Sequence, residues 1–186
     1  MASPLTHAAT GLALGTIFWR QGDTKRFWIA GAVCAALADV DAFGVLFGIP
    51  YESAAWGHRG FTHSLTFALL LALLVAWKGF DAERRRRMGL YLFIAAASHG
   101  LLDAMTTEGL GVAFFAPFWN ERFFLPWRPI TITPLNPAEL LGVHIHGARL
   151  LMVRGGELRS VWPVLVALAG LTGLVRGIRM RPRPAD

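Results

Sequence analysis

Apolar residues gather into five runs separated by short polar breaks: Leu5 to Trp19, Phe27 to Phe47, Thr62 to Phe80, Met88 to about Thr107, and Val161 to Val175. A helix needs about 20 residues to cross roughly 30 Å of hydrocarbon, so the second run is long enough and the first is short, and must lean on its neighbours. Ser3 before Pro4 supplies a cap and a first-turn proline for the opening helix. Between the fourth and fifth runs lies a connection, 108–160, rich in Pro, Trp, Phe and Arg. Within it Asn136-Pro137-Ala138-Glu139 has the order of a helix start, cap then first-turn proline then acid, and predicts a short helix near 137–153. The pattern predicts an all-α fold: a polytopic membrane helix bundle of about five apolar helices plus that short helix. With no internal repeat and no low-complexity segment, 1–186 reads as a single membrane domain.

Composition sharpens the picture. Hydrophobic residues make up 54% of the 186 and charged residues only 16%, and the charges are clumped. A soluble surface would scatter them. The net charge of +6 comes largely from Arg20, Lys25 and Arg26, then Arg84 to Arg87, then Arg176, Arg179, Arg181 and Arg183. Beside apolar helices these runs are topology signals first and anionic-lipid contacts second, and no nucleic-acid partner is expected. Placing all three clusters on the cytoplasmic side predicts a multi-pass protein of the inner membrane. The N-terminus, the loop 48–61 and the region 108–160 then face the non-cytoplasmic side. Met1 to Thr6 carries no Lys or Arg, which argues against a secretory signal, so the first run is kept as a structural helix. The single cysteine, Cys34, excludes an internal disulfide.

Ionisable groups inside apolar runs are costly and mark functional sites. Counting 1.5 Å per residue from the cytoplasmic ends, Asp39 and Asp41 lie roughly 20 Å up the second helix. On the fourth helix His99 lies roughly 16 Å up and Asp103 roughly 22 Å. His7 opens the first helix and His63 the third, both at the outer end. All share one level of the bilayer. His99 and Asp103, four apart, stack on one helical face. Asp39 and Asp41, two apart, cannot both point inward from a regular helix, so one ligates while the other orients a histidine, or the helix unwinds. Gly57 and Gly60 allow His58 to fold back toward His63.

Imidazole and carboxylate without thiolate suit a catalytic divalent metal, Zn first and Mn, Fe or Ni next, as one or two ions. The predicted metal residues are His7, Asp39, Asp41, His58, His63, His99 and Asp103. Paired metals suit phosphoester hydrolysis. Arg59 is then the natural phosphate clamp, Asp41 doubles as a catalytic group, and Glu108 is placed to act as an acid or base. The depth of the site points to a lipid or lipid-linked phosphoester reached from the bilayer.

His58-Arg59-Gly60-Phe61-Thr62-His63-Ser64, the pair Asp39-Val40-Asp41, and Ser98-His99-Gly100-Leu101-Leu102-Asp103 with Thr106 and Gly109 resemble the bacterial and archaeal family of membrane-bound metal-dependent hydrolases. Pro117, Arg122-Phe123, Pro126 and Ile130 also resemble its pattern, and the likeness covers roughly residues 5 to 130. Ala38 and Ala42 stand where that family often has Pro and His. The resemblance implies a membrane hydrolase with the same seven metal residues. Two other classes compete. One is a transition-metal transporter, or a metal-binding membrane protein without hydrolase activity; a transporter predicts polar residues continuing toward the cytoplasm, whereas the third and fourth helices are nearly all apolar there. A haem carrier predicts axial histidines without carboxylate neighbours. His144 and His146 fall on opposite sides of the predicted short helix and read as surface groups.

Overall fold

The computed structural model describes residues 2–53, 55–130 and 155–179. The predicted helix near 137–153, with His144 and His146, and the tail arginines Arg181 and Arg183 lie outside the described residues. Helix α1 spans Pro4–Phe18 and α2 Lys25–Ala36, and α2 runs on into a 3₁₀ helix, Leu37–Phe47. A 3₁₀ turn, Phe61–His63, leads into α3, Leu65–Gly79. Helix α4 covers Ala82–Ala104, and a short α5, Gly155–Ser160, precedes α6, Trp162–Arg179. The described residues hold no strand, only isolated bridges between Thr106 and Ile130 and between Val112 and Phe123.

Local chemistry explains the boundaries. The Ser3 hydroxyl accepts from the Thr6 amide with Pro4 in the first turn, and the Ser64 hydroxyl accepts from the Phe67 amide to start α3. Gly48, with φ of 78°, closes the 3₁₀ helix in a left-handed conformation that glycine adopts without strain.

Two stretches, Lys25–Phe47 and Gly156–Ile178, each 23 residues, are long and apolar enough to cross a membrane. That is fewer than the five apolar helices expected, and the reasons are plain. Helices α1 and α3 have 15 residues each, a rise of roughly 22 Å. Helix α4 is long, but its first turns are taken by Glu83 and Arg84 to Arg87.

Helices α1 to α4 pack around one apolar cluster built on Phe27, Cys34, Ala35, Ala68, Ala72, Met88, Tyr91, Leu92 and Ala95. The closest approach is between α1, α2 and α4. Tyr91 threads its hydroxyl to the Gly11 carbonyl at 2.9 Å, passing where Gly31 lacks a side chain. Helix α6 lies against α1, joined by the Thr172 and Thr16 hydroxyls at 2.8 Å.

Three basic clusters meet at one end of this bundle. Arg87 grips Asp23 with both terminal nitrogens, at 2.6 and 2.7 Å, and also donates to the Phe18 carbonyl. Arg84 lies 3.6 Å from Asp23, and Arg176 reaches the Trp19 carbonyl at 2.7 Å. At the opposite end, 105–130 folds across the helix tips. Leu125 donates to the Ala104 carbonyl, Ile130 to that of Met105, and Leu65 to that of Phe114.

Two tests follow from this packing. A Cβ on residue 31 would sit 1.6 Å from the Tyr91 hydroxyl oxygen, so Gly31→Ala should destabilise the bundle by about 1–3 kcal/mol, read as a lowered melting temperature in detergent. The Arg87 guanidinium holds the Asp23 carboxyl below its ordinary range. A depressed carboxyl contributes stability above its unfolded pKa and loses it as pH falls through the folded value. Melting temperature should therefore stay level from pH 7 to 5 and drop below about pH 4, and Asp23→Asn should flatten that drop.

Candidate metal centre

At the end away from the basic clusters, six of the seven predicted residues converge on one buried hollow. His7, Asp39, His99 and Asp103 can each present a ligand atom such that all lie within 4.8 Å of one another, and the same is true of Asp39, His58, His63 and Asp103. Asp39 and Asp103 belong to both groups. Each group thus pairs two histidines with the same two carboxylates.

Each element delivers its side chain for a local reason. His7 sits in the first turns of α1 and stacks on His99, centroids 3.6 Å apart and rings tilted by 12°. His99 and Asp103 come from one face of α4. Asp39 and Asp41 come from the 3₁₀ stretch. At 3.0 residues per turn, positions two apart are separated by about 120° around the axis rather than the roughly 160° of an α-helix. The change of helix type after Ala36 thus lets both aspartates reach the hollow's side of the bundle.

Asp41 itself belongs to neither donor group. Its Oδ1 lies 2.7 Å from His58 Nδ1, its Oδ2 3.1 Å from His63 Nδ1, and it also accepts from the Thr62 hydroxyl and the Arg59 amide. Its place is behind the histidines, where one carboxylate orients two imidazoles and turns their Nε2 atoms inward. Carboxylate–histidine–metal relays have this form.

The hydrogen bonds also set the tautomers. His99 Nδ1 lies 2.7 Å from the Ala35 carbonyl, which can only accept, so Nδ1 carries the proton and a neutral His99 turns its Nε2 lone pair inward. Asp41 Oδ2 stands on the Nδ1 side of His63, which leaves its Nε2 facing the hollow. These two Nε2 atoms are 3.0 Å apart, and His99 Nε2 is 3.1 Å from Asp39 Oδ1. Two imidazole nitrogens this close together beside carboxylates need a proton or a metal cation between them. Both nitrogens of His7, both oxygens of Asp39, His58 Nε2 and Asp103 Oδ2 are buried with no hydrogen-bond partner. Buried polar atoms are almost always satisfied, so this concentration of orphans fits divalent metal. Burial pushes the His58 imidazole below its ordinary pKa against the opposing pull of Asp41, which favours the neutral, ligating form near neutrality. Tyr51, stacked on His58, is pushed up to about 12 by burial and keeps its proton.

The predicted catalytic groups fall differently. Arg59 is 2% exposed, and its backbone stands at a φ of 63°. Its Nε lies 3.1 Å from Asp103 Oδ2, one terminal nitrogen donates to the Thr106 hydroxyl at 3.1 Å, and the other to the Glu108 carbonyl at 3.4 Å. Every guanidinium nitrogen already has a protein partner, so the expected phosphate clamp stands here as the holder of Asp103. Glu108 is exposed; its carbonyl meets the site, while its carboxylate is not among the grouped donors.

Several residues at the site were not singled out from sequence. The Ala2 amide donates to Asp103 Oδ1 at 2.9 Å. Buried Glu157 of α5 accepts from the Ser3 amide and from the Ser3 and Thr6 hydroxyls, each at 2.7 Å, which pins the α1 turn that bears His7. Trp162 adds an indole N–H to Thr6 at 3.1 Å. Arg122, which the family resemblance did include, reaches back from the 105–130 segment to the His58 carbonyl and the Ser53 carbonyl, both at 2.9 Å. The only sequence signal for Glu157 is a lone acid before the last apolar run; nothing local names partners some 150 residues away.

Over residues 1–181 the chain matches the family described as YdjM inner membrane protein. It is 40% identical over 173 residues to an Escherichia coli (strain K12) protein, "Inner membrane protein YbcI", covering 92% of this chain and 96% of that one. It is 32% identical over 117 residues to the "Uncharacterized protein YvsG" of Bacillus subtilis (strain 168), covering 59% of this chain and 71% of that one. No solved structure matches.

Asp41→Asn keeps the shape of the side chain but removes the charge behind two histidines. Metal affinity, measured by chelator competition and elemental analysis, should fall about 10- to 100-fold. Asp103→Ala should abolish bound metal, because Asp103 belongs to both donor groups.

Proposed function

Since the chain belongs to the YdjM family of inner membrane proteins, we propose that it is a multi-pass, membrane-embedded, metal-dependent hydrolase. Its substrate on this reading is a phosphoester in a lipid or lipid-linked molecule. The observation that carries the proposal is the cluster of unpartnered imidazole nitrogens and carboxylate oxygens shared between two overlapping donor groups. One divalent cation, Zn by donor type, would be held by His7, His99, Asp39 and Asp103, and a second by His58, His63 and the same two aspartates. Bound in this way, a metal pair supplies water activation at neutral pH and charge stabilisation on a phosphoester, the chemistry for which shared-carboxylate pairs are suited.

The protein's own groups divide the remaining work. Asp41 stands behind His58 and His63 and orients their rings toward the hollow. Arg59 and the Ala2 amide hold the two oxygens of Asp103. Arg122 and the backbone bonds from 105–130 keep the His58 loop folded over the hollow and limit its exposure to water. The basic clusters gathered at the far end support a cytoplasmic assignment for that end, with the hollow toward the other face of the membrane. A lipid substrate fits because the groups around the site, Phe47, Trp56, Phe118 and Trp119, are exposed aromatics of the kind that sit at a bilayer interface.

A transition-metal transporter finds less support. Between the hollow and the basic end the described interior is the apolar cluster around Met88, Leu92 and Ala95, which offers a passing ion one thiol, Cys34, and no imidazole or carboxylate.

Purified protein should release phosphate from phospholipid or isoprenoid phosphates presented in mixed micelles. Chelator should abolish the activity, added Zn or Mn should restore it, and His63→Ala should lower it by at least about 100-fold. Activity confined to water-soluble esters would remove the lipid part of the proposal, and activity insensitive to chelator would remove the metal part.

A further inference from the structure

Far from the hollow, a second feature has no part in the chemistry above. A groove of about 620 Å³ runs between α3 and α4 toward their basic end. Ala72, Ala76 and Gly89 form its floor and Leu69, Leu73 and Phe93 its walls, while Trp77, Arg85 and Arg86 stand at its mouth. From Leu69 to Trp77 it follows α3 for roughly 12 Å. On the same side of α3, Leu69, Leu73 and Trp77 are exposed outward, at 48, 56 and 67%. In a protein of the inner membrane that surface meets acyl chains, so an apolar groove there opens to lipid rather than to water.

The mouth is built for an anion. Arg85 lies flat against the Trp77 ring, 4.5 Å from its centroid, and ties back to the Phe80 carbonyl, which holds its charge at the rim. Arg86 is exposed and makes no hydrogen bond or ion pair among the described residues. Asp23 is taken by Arg87, and Glu83 lines a neighbouring cavity together with Arg20, Arg86 and Arg87, so the one carboxylate near Arg86 stands among three cations and leaves the rim positive. Two guanidinium groups at the end of an apolar trough match the charge and shape of a phospholipid with a negative head group.

We infer that the α3–α4 groove is a binding site for an anionic phospholipid, with the phosphate on Arg85 and Arg86 and one acyl chain lying along Ala72, Ala76 and Gly89. The lipid is structural and lies at the end of the bundle opposite the metal hollow, so the site stands whether or not the protein is a hydrolase.

Full-length protein reconstituted in nanodiscs of equal phosphatidylglycerol and phosphatidylcholine, then released for native mass spectrometry, should retain phosphatidylglycerol at least fivefold over phosphatidylcholine. Arg86→Ala should bring the ratio close to one, and Arg86→Lys should keep most of it. A Cβ at residue 89 meets only the Ala76 Cβ at 3.9 Å, so Gly89→Leu can extend into the trough without disturbing the helices, and should displace the lipid while metal content stays unchanged. Equal retention of the two lipids by the unmodified protein, or undiminished phosphatidylglycerol in both Arg86→Ala and Gly89→Leu, would overturn the site.

Discussion

The arrangement depends on what is needed to keep Asp39 and Asp103 charged inside a helix bundle. An ionised carboxylate removed from water costs several kcal/mol unless it is paired and hydrogen-bonded. Asp103 has partial relief from Arg59 and the Ala2 amide; Asp39 has no hydrogen-bond donor of its own. Around the two stand His7, His58, His63 and His99, each able to turn a lone pair toward the same space. Such a hollow is stable only with positive charge in it. Protons on the histidines can supply that charge at a cost in repulsion among neighbouring imidazolium groups, and divalent metal supplies it without that cost.

Much of the rest of the chain can be understood as holding these groups still. The run of eleven 3₁₀ residues after α2 is far longer than the three or four at which such helices usually stop. It places Asp39 in the hollow and Asp41 behind the histidines, a division that one α-helical turn could not make. The positive φ of Arg59 is uncommon for a residue with a side chain, and it persists because the Ala113 amide binds its carbonyl while its guanidinium is fixed at three points. Arg59 therefore strains the loop between His58 and Thr62 into the form that lets one aspartate serve two rings.

The residue types and their common depth were legible in the chain, because charge inside an apolar helix has few innocent explanations and 1.5 Å per residue converts position into height. The His99 and Asp103 pairing followed from helical spacing alone. At Asp39 and Asp41 the helix changes type, tightening into 3₁₀ rather than unwinding, and Asp41 stands beside the rings of His58 and His63. Less legible was anything decided by tertiary contact. Arg59 reads in isolation as a free phosphate fork, and only the approach of α4 and the Glu108 turn shows its nitrogens engaged. The side chain of Glu108 was placed by its closeness in sequence to Asp103, but the turn after Ala104 leaves it in solvent. Full-length spans were overcounted because the third run was credited with Thr62 to Ser64, which form a 3₁₀ turn and a cap, while the first run, short already in the sequence, stays at 15 residues.

Glu157 shows why the last helix belongs to the site even though it carries no predicted ligand. Its carboxylate, fully buried, accepts from hydroxyl and amide donors of Ser3 and Thr6, and these sit about one turn or less from His7. Three hydrogen bonds to a charged acceptor in a low-dielectric interior are strong, and they are directional in a way that apolar packing of α6 on α1 is not. The first turn of α1 is thereby fixed from both sides, by Asp103 through the Ala2 amide and by Glu157 through Ser3 and Thr6. His7 has no hydrogen bond of its own, so its position rests on that double anchoring and on the stacked ring of His99. On the proposed reading, a histidine that must stay unbonded to remain available to a cation has to be positioned by its backbone, and the first turn of α1 and the α5 segment meet to do so.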